Sequence, residues 1–68
     1  MEYVVIIEKS ENGFGAFVPD LPGCVAVAET REETVQLIKE AVEIHIESLR
    51  KSGESVPHPT ATTEKIAV

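Results

Sequence analysis

One cysteine, one tyrosine, two phenylalanines and no tryptophan are all this 68-residue sequence holds of those types. Cys24, alone, can form neither an internal disulfide nor a thiolate zinc site, and a reducing, cytoplasmic setting suits it best. Basic residues are scarce as well: six against twelve acidic ones leave a formal net charge of −6. Phosphate binding draws its affinity from Lys and Arg, so no direct nucleic acid binding is expected. An acidic module is better suited to meeting something basic. No run approaches the roughly 20 apolar residues of a membrane span, and no charged-then-apolar leader opens the chain. Repeats and low-complexity tracts are absent too. A chain this short reads as one domain, 1–68, and chains of this size bury only about 60% of their unfolded surface. With disulfide and metal set aside, a partner chain is the remaining source of stability.

What is present reads as strands followed by a helix. Glu2 to Lys9 is β-branched and apolar between polar neighbours, the mark of a strand. Asn12-Gly13 is a strong hairpin signal, because a type I′ turn needs positive φ at both central positions. Phe14 to Pro19 is then the returning strand. Leu21-Pro22-Gly23-Cys24 supplies Pro and Gly where a type II turn requires them, so Cys24 to Ala28 becomes a third strand. Thr30-Arg31-Glu32-Glu33 is a capping box: the Thr30 hydroxyl accepts the Glu33 N–H while the Glu33 carboxylate reaches back to the Thr30 N–H. A helix follows to about Lys51, with an apolar stripe of Val35, Ile38, Val42, Ile46 and Leu49 and with Gly53 as the residue past its end. Pro57 and Pro59 force an extended path, and Lys65 to Val68 can form a short last strand. The order is βββαβ, an α+β fold built on an antiparallel meander.

A two-residue loop at Asn12-Gly13 pairs Glu11 with Phe14 and Ile7 with Val18. One face of the hairpin then carries Tyr3, Val5, Ile7, Phe14, Ala16 and Val18, and the other Val4, Ile6, Phe17 and Pro19. Both are apolar, yet one helix covers one face. The uncovered face is either a dimer or partner surface, or the seat of the C-terminal tail.

The residues that could carry chemistry each have a plainer reading. Asp20, the one aspartate, is a turn residue or a catalytic or metal-binding carboxylate, and its surroundings of Pro19, Pro22 and Gly23 favour the turn. Cys24 has no cation beside it in sequence and reads as a small buried thiol. His45 flanks the apolar stripe and His58 lies in the tail, without the spacing of a metal site. Glu40, Glu43 and Glu47 form an acidic row, either a solvated face or a contact for a basic partner. No glycine-rich phosphate loop or Ser–His–Asp order is found, so no catalytic residues, cofactor or metal are assigned.

Taken together, Asn12-Gly13-Phe14, the run Ala16 to Cys24 with its Pro19-Asp20-Leu21-Pro22-Gly23-Cys24 core, Thr30 with Glu33, and Gly53 followed by Val56-Pro57-His58-Pro59 resemble the HicB-like antitoxin family over nearly the whole chain. The resemblance implies a fold similar to a truncated ribonuclease H core and a place in a type II toxin–antitoxin pair. It implies as partner a small basic ribonuclease toxin of the HicA type, blocked by direct binding. The acidic row Glu40, Glu43 and Glu47, with Phe17 from the spare apolar face, is the expected partner-binding surface, and a homodimer or higher homo-oligomer is expected. Full-length members carry a C-terminal DNA-binding domain; the sequence stops at Val68, so operator binding is not expected. Ribonuclease H chemistry needs several carboxylates around two metal ions, and Asp20 with scattered glutamates does not supply them. The competing reading is a stand-alone homo-oligomeric scaffold or small-ligand-binding module without a toxin.

Overall fold

The computed structural model describes all 68 residues. Strands β1 (Ile6–Ser10), β2 (Gly13–Phe17) and β3 (Val25–Ala28) form an antiparallel sheet in the order β1-β2-β3, followed by helix α1 (Arg31–Lys51). The α+β class and the meander are as the sequence implied; the register and the last strand are not.

The hairpin turns one step earlier than expected. Ser10 pairs with Gly13 and Ile7 with Ala16, so the two loop residues are Glu11 and Asn12. No residue other than glycine has positive φ, so Asn12 does not adopt the left-handed conformation of a type I′ turn. Gly13 is needed for room instead. A methyl there would overlap the Ala28 carbonyl oxygen and stand 3.1 Å from the Glu29 Cα. Because the slip is two residues along the partner strand, every side chain keeps its face; a slip of one would have inverted them.

Strand β1 begins at Ile6 rather than Glu2, because its partner ends at Phe17. The Val18 N–H bonds to the Cys24 carbonyl at 3.2 Å, and the Val18 carbonyl accepts from Leu21 at 3.1 Å. With both groups committed to the bend, Tyr3 to Val5 run on without a ladder. The type II turn is as expected: Gly23 has φ +84° and the Cys24 N–H reaches the Leu21 carbonyl at 3.1 Å.

Both ends of the helix follow from the sequence. Thr30 Oγ1 accepts the Glu33 N–H at 3.1 Å, although the return bond runs from the Thr30 hydroxyl to Glu33 Oε1 (3.2 Å) and not from the Thr30 N–H. Glu32 and Glu33 face the positive end of the helix dipole, and Arg50 and Lys51 the negative end. At the far end the Gly53 N–H bonds to Arg50 and the Glu54 N–H to Leu49, with Gly53 at φ +74°. That pair of bonds is a Schellman motif.

The helix lies across β2 and β3 and barely touches β1. The core between them is Ala16, Val18, Leu21, Cys24 and Ile38, with Ala26, Ala41, Val42, Ile46, Tyr3, Val5 and Ile7 around it. Thr34, absent from the expected stripe, is wholly buried, and its hydroxyl donates to the Thr30 carbonyl at 2.8 Å. Val35, expected inside, stays 39% exposed. The helix is rolled toward β3, leaving Val35, Val42 and Ile46 on the flank that overhangs β1.

No strand forms at Lys65 to Val68. After the helix the chain runs extended, held at Tyr3 and Asp20, and residues 62–68 are all exposed. A four-stranded sheet is therefore not completed within one chain.

Candidate functional site

Three surfaces on this frame can take part in binding. Residues 40, 43 and 47 recur at helical spacing, and all three glutamates are exposed on α1, with Glu43 and Glu47 toward the side that overhangs Met1 and Tyr3. Glu40 accepts from Gln36 Nε2 at 3.2 Å, and Glu47 meets Lys51 Nζ at 3.1 Å. Both contacts are exposed and so worth little. Only Glu47 has its charge partly offset by a neighbouring cation.

The second surface is the sheet face opposite the helix. Ile6, Phe17 and Val25 stand abreast across the three strands, and Val27 lies beyond Gly15. Phe17 is 39% exposed, Val25 61% and Val27 75%. Nothing from the tail folds over them, so the alternative in which the tail covers this face does not hold. The acidic row and Phe17 are not brought together. Ala16 and Val18 point into the core, so Phe17 between them points to the other side of the sheet. A single rigid partner with a flat surface can touch one of these surfaces but not both.

The third surface escaped sequence reasoning. Because α1 leaves β1 uncovered, Tyr3, Val5 and Ile7 face Val35, Ile38 and Val42 across an open groove of about 440 Å³, with Lys39 and Glu43 on its rim. The only sequence signal was the width of the helical stripe, broader than the one strand pair it covers.

Asp20 takes its hydrogen-bond partners from the tail and not from its own turn. Its Oδ2 accepts the N–H groups of Thr60 and Ala61, each at 3.0 Å, and its Oδ1 accepts the Thr60 hydroxyl at 2.8 Å. The Ala61 N–H and then the Thr60 hydroxyl hold its carboxyl below the ordinary value; desolvation opposes them, and the Thr60 N–H adds the least of the lowering effects. Pro19, Leu21, Pro22 and Gly23 lie in the bend that presents it, Gly13 packs against the Ala28 carbonyl, Thr30, Glu33 and Gly53 take part in the hydrogen bonds at the helix ends, and Asn12 lies in the hairpin loop. Cys24 is buried and its thiol is pushed up by desolvation, away from nucleophile chemistry. His45 is half-buried beside Cys24, Val25 and Ala41, as a packing residue on the helix flank. No three His, Cys, Asp or Glu side chains converge in a way that would hold a metal ion, and no helix is long and apolar enough to cross a membrane.

Comparison with known proteins agrees with this frame. The model of the HicB-like antitoxin family of bacterial toxin–antitoxin systems matches residues 3–67. The chain is 45% identical over 69 aligned positions to UPF0150 protein Ta0767 of Thermoplasma acidophilum, covering 100% of this chain and 97% of that one. It is 37% identical to UPF0150 protein ssr1765 of Synechocystis, covering 97% and 85%. A chain of a solved HicA3 and HicB3 toxin-antitoxin complex superposes with a TM-score of 0.73 at 32% identity, covering 88% of this chain and 70% of that one. A match from residue 3 to residue 67, on a fold shared with a chain of that complex, means that this chain belongs to the HicB-like antitoxin family.

Proposed function

We propose that this chain is the antitoxin of a type II pair, acting in the cytoplasm by binding and occluding a small basic ribonuclease of the HicA type. The observation that carries the reading is the likeness, at 32% identity, to a chain of a HicA3 and HicB3 complex. The charge is of the right sign, −6 on 68 residues, and the acidic row Glu40, Glu43 and Glu47 is where much of it is displayed. Such charges act mainly on the rate of encounter, and apolar contacts hold the complex once formed. Phe17, with Val25 and Val27, is the surface able to supply those contacts, provided the toxin reaches round the sheet. In this role the chain carries out no catalysis of its own.

The test is co-purification with the product of a small basic reading frame beside the gene, with RNA cleavage by that product assayed in the presence and absence of this chain. A stable complex that silences cleavage is the expected result. The uncovered sheet face favours one rival, a self-associating scaffold without a toxin. No complex at micromolar concentration would put that reading first.

A further inference from the structure

The groove beside β1 and the free segment after Ala61 are complementary in kind. β1 is an edge strand: it pairs with β2 on one side and with nothing on the other. An edge of this type is a template for strand addition. The groove along it is floored by Tyr3, Val5 and Ile7 and walled by Val35, Ile38 and Val42, so an added strand would find apolar partners for every second side chain. Residues 62–68 are such a strand without a sheet. Ile66 and Val68 fall on one side of it and Lys65 and Ala67 on the other, and Ile66 is 79% exposed.

The segment does not fill its own groove. Tyr3 Oη donates to the Pro57 carbonyl, and three further hydrogen bonds then pin Thr60 and Ala61 to Asp20. The chain thus passes the groove at Pro57, and no residue of the tail lines it. The molecule is correspondingly drawn out: its radius of gyration is 13.2 Å, against about 11 Å for a compact chain of this length. Only six residues are buried.

We infer that residues 62–68 of one copy add as a fourth strand to β1 of a second copy, and reciprocally, with Ile66 seated between β1 and α1. The Asp20–Thr60 clamp is then the fixed point from which the segment is handed across. Exchange supplies each copy with the strand that the βββαβ order calls for and covers Val35, Val42 and Ile46. It leaves the Phe17 face free and meets the acidic row only at Glu43, on the groove's rim; it does not depend on the toxin reading.

The experiment uses the full chain alone. Sedimentation equilibrium is expected to give twice the 7.4 kDa of one chain, and Ile66→Asp to return the mass to that of one. A second measurement guards against a variant that does not fold. In a Cys24→Ala background, Val5→Cys and Ile66→Cys are placed on two chains carrying tags of different size, mixed and oxidised. A disulfide joining the two tags is expected, and the double variant on one chain should run as a covalent dimer. A wild-type monomer, a dimer that survives Ile66→Asp, a double variant that oxidises within one chain, or no cross-link at all would overturn the proposal.

Discussion

Asp20 and Thr60, forty positions apart, are joined by two hydrogen bonds, from the Thr60 N–H to Oδ2 at 3.0 Å and from its hydroxyl to Oδ1 at 2.8 Å. The Ala61 N–H completes the clamp. It is the point at which the tail is tied to the sheet, and its strength depends on the charge of one carboxylate.

Asp20→Ala should therefore release the tail while leaving sheet and helix in place. Amide exchange of Thr60 and Ala61 is expected to rise to the rate of unstructured chain, with the protection of β2 and α1 unchanged. The pH dependence has a definite sign. A carboxyl lowered in the folded state contributes stability above its ordinary value near 3.8 and loses it as pH falls through the lowered value. The Thr60 and Ala61 amide shifts should hold from neutrality to below pH 4 and move only under stronger acid. A midpoint at or above the ordinary value would remove the clamp.

Gly13→Ala should destabilise the fold. The added methyl overlaps backbone, the Ala28 carbonyl oxygen, and cannot be relieved by a rotamer change. The expected loss exceeds ~1 kcal/mol, read as a lower urea midpoint at unchanged slope. Ala at Gly15, where nearby space is open, should cost less.

The Cys24 thiol should be slow to react. It is buried and raised by desolvation, so its thiolate is scarce at neutral pH. Labelling by a thiol reagent at pH 8 should be slow in the folded chain and rapid in denaturant. Equal rates in both would mean that the core around Leu21 and Cys24 opens readily.

Charge and apolar contact can be separated because the sheet lies between them. Reversing Glu43 and Glu47 together should slow association with the basic partner and flatten its salt dependence, with little change in dissociation. Phe17→Ser should do the reverse, raising the dissociation rate. Association unaffected by the charge reversals would take the helix out of the interface.

Much of this was legible in the sequence, and the reason is local. The Thr30 cap, the Pro22-Gly23 turn and the Gly53 helix end are each decided within a few residues, by φ and by hydrogen bonds that close over three to five positions. Face assignment was also legible, because alternation along β2 separates Ala16 and Val18 from Phe17 whatever the register. The resemblance to the HicB-like family rests on these same local stretches, Pro19 to Cys24, Thr30 with Glu33, and Gly53.

What only the tertiary structure decided were the long-range choices. The hairpin slipped by two because Gly13 must lie flat against Ala28 and Glu29, a demand made by a strand fifteen residues on. The helix rolled toward β3, burying Thr34 and exposing Val35, since two strands were available to pack against and β1 was left aside. Asp20 found its partners in the tail instead of its own turn. Side-chain pattern determines which face of an element is apolar; which neighbour meets that face depends on competing packings of similar energy, and those are settled only when the whole chain is assembled.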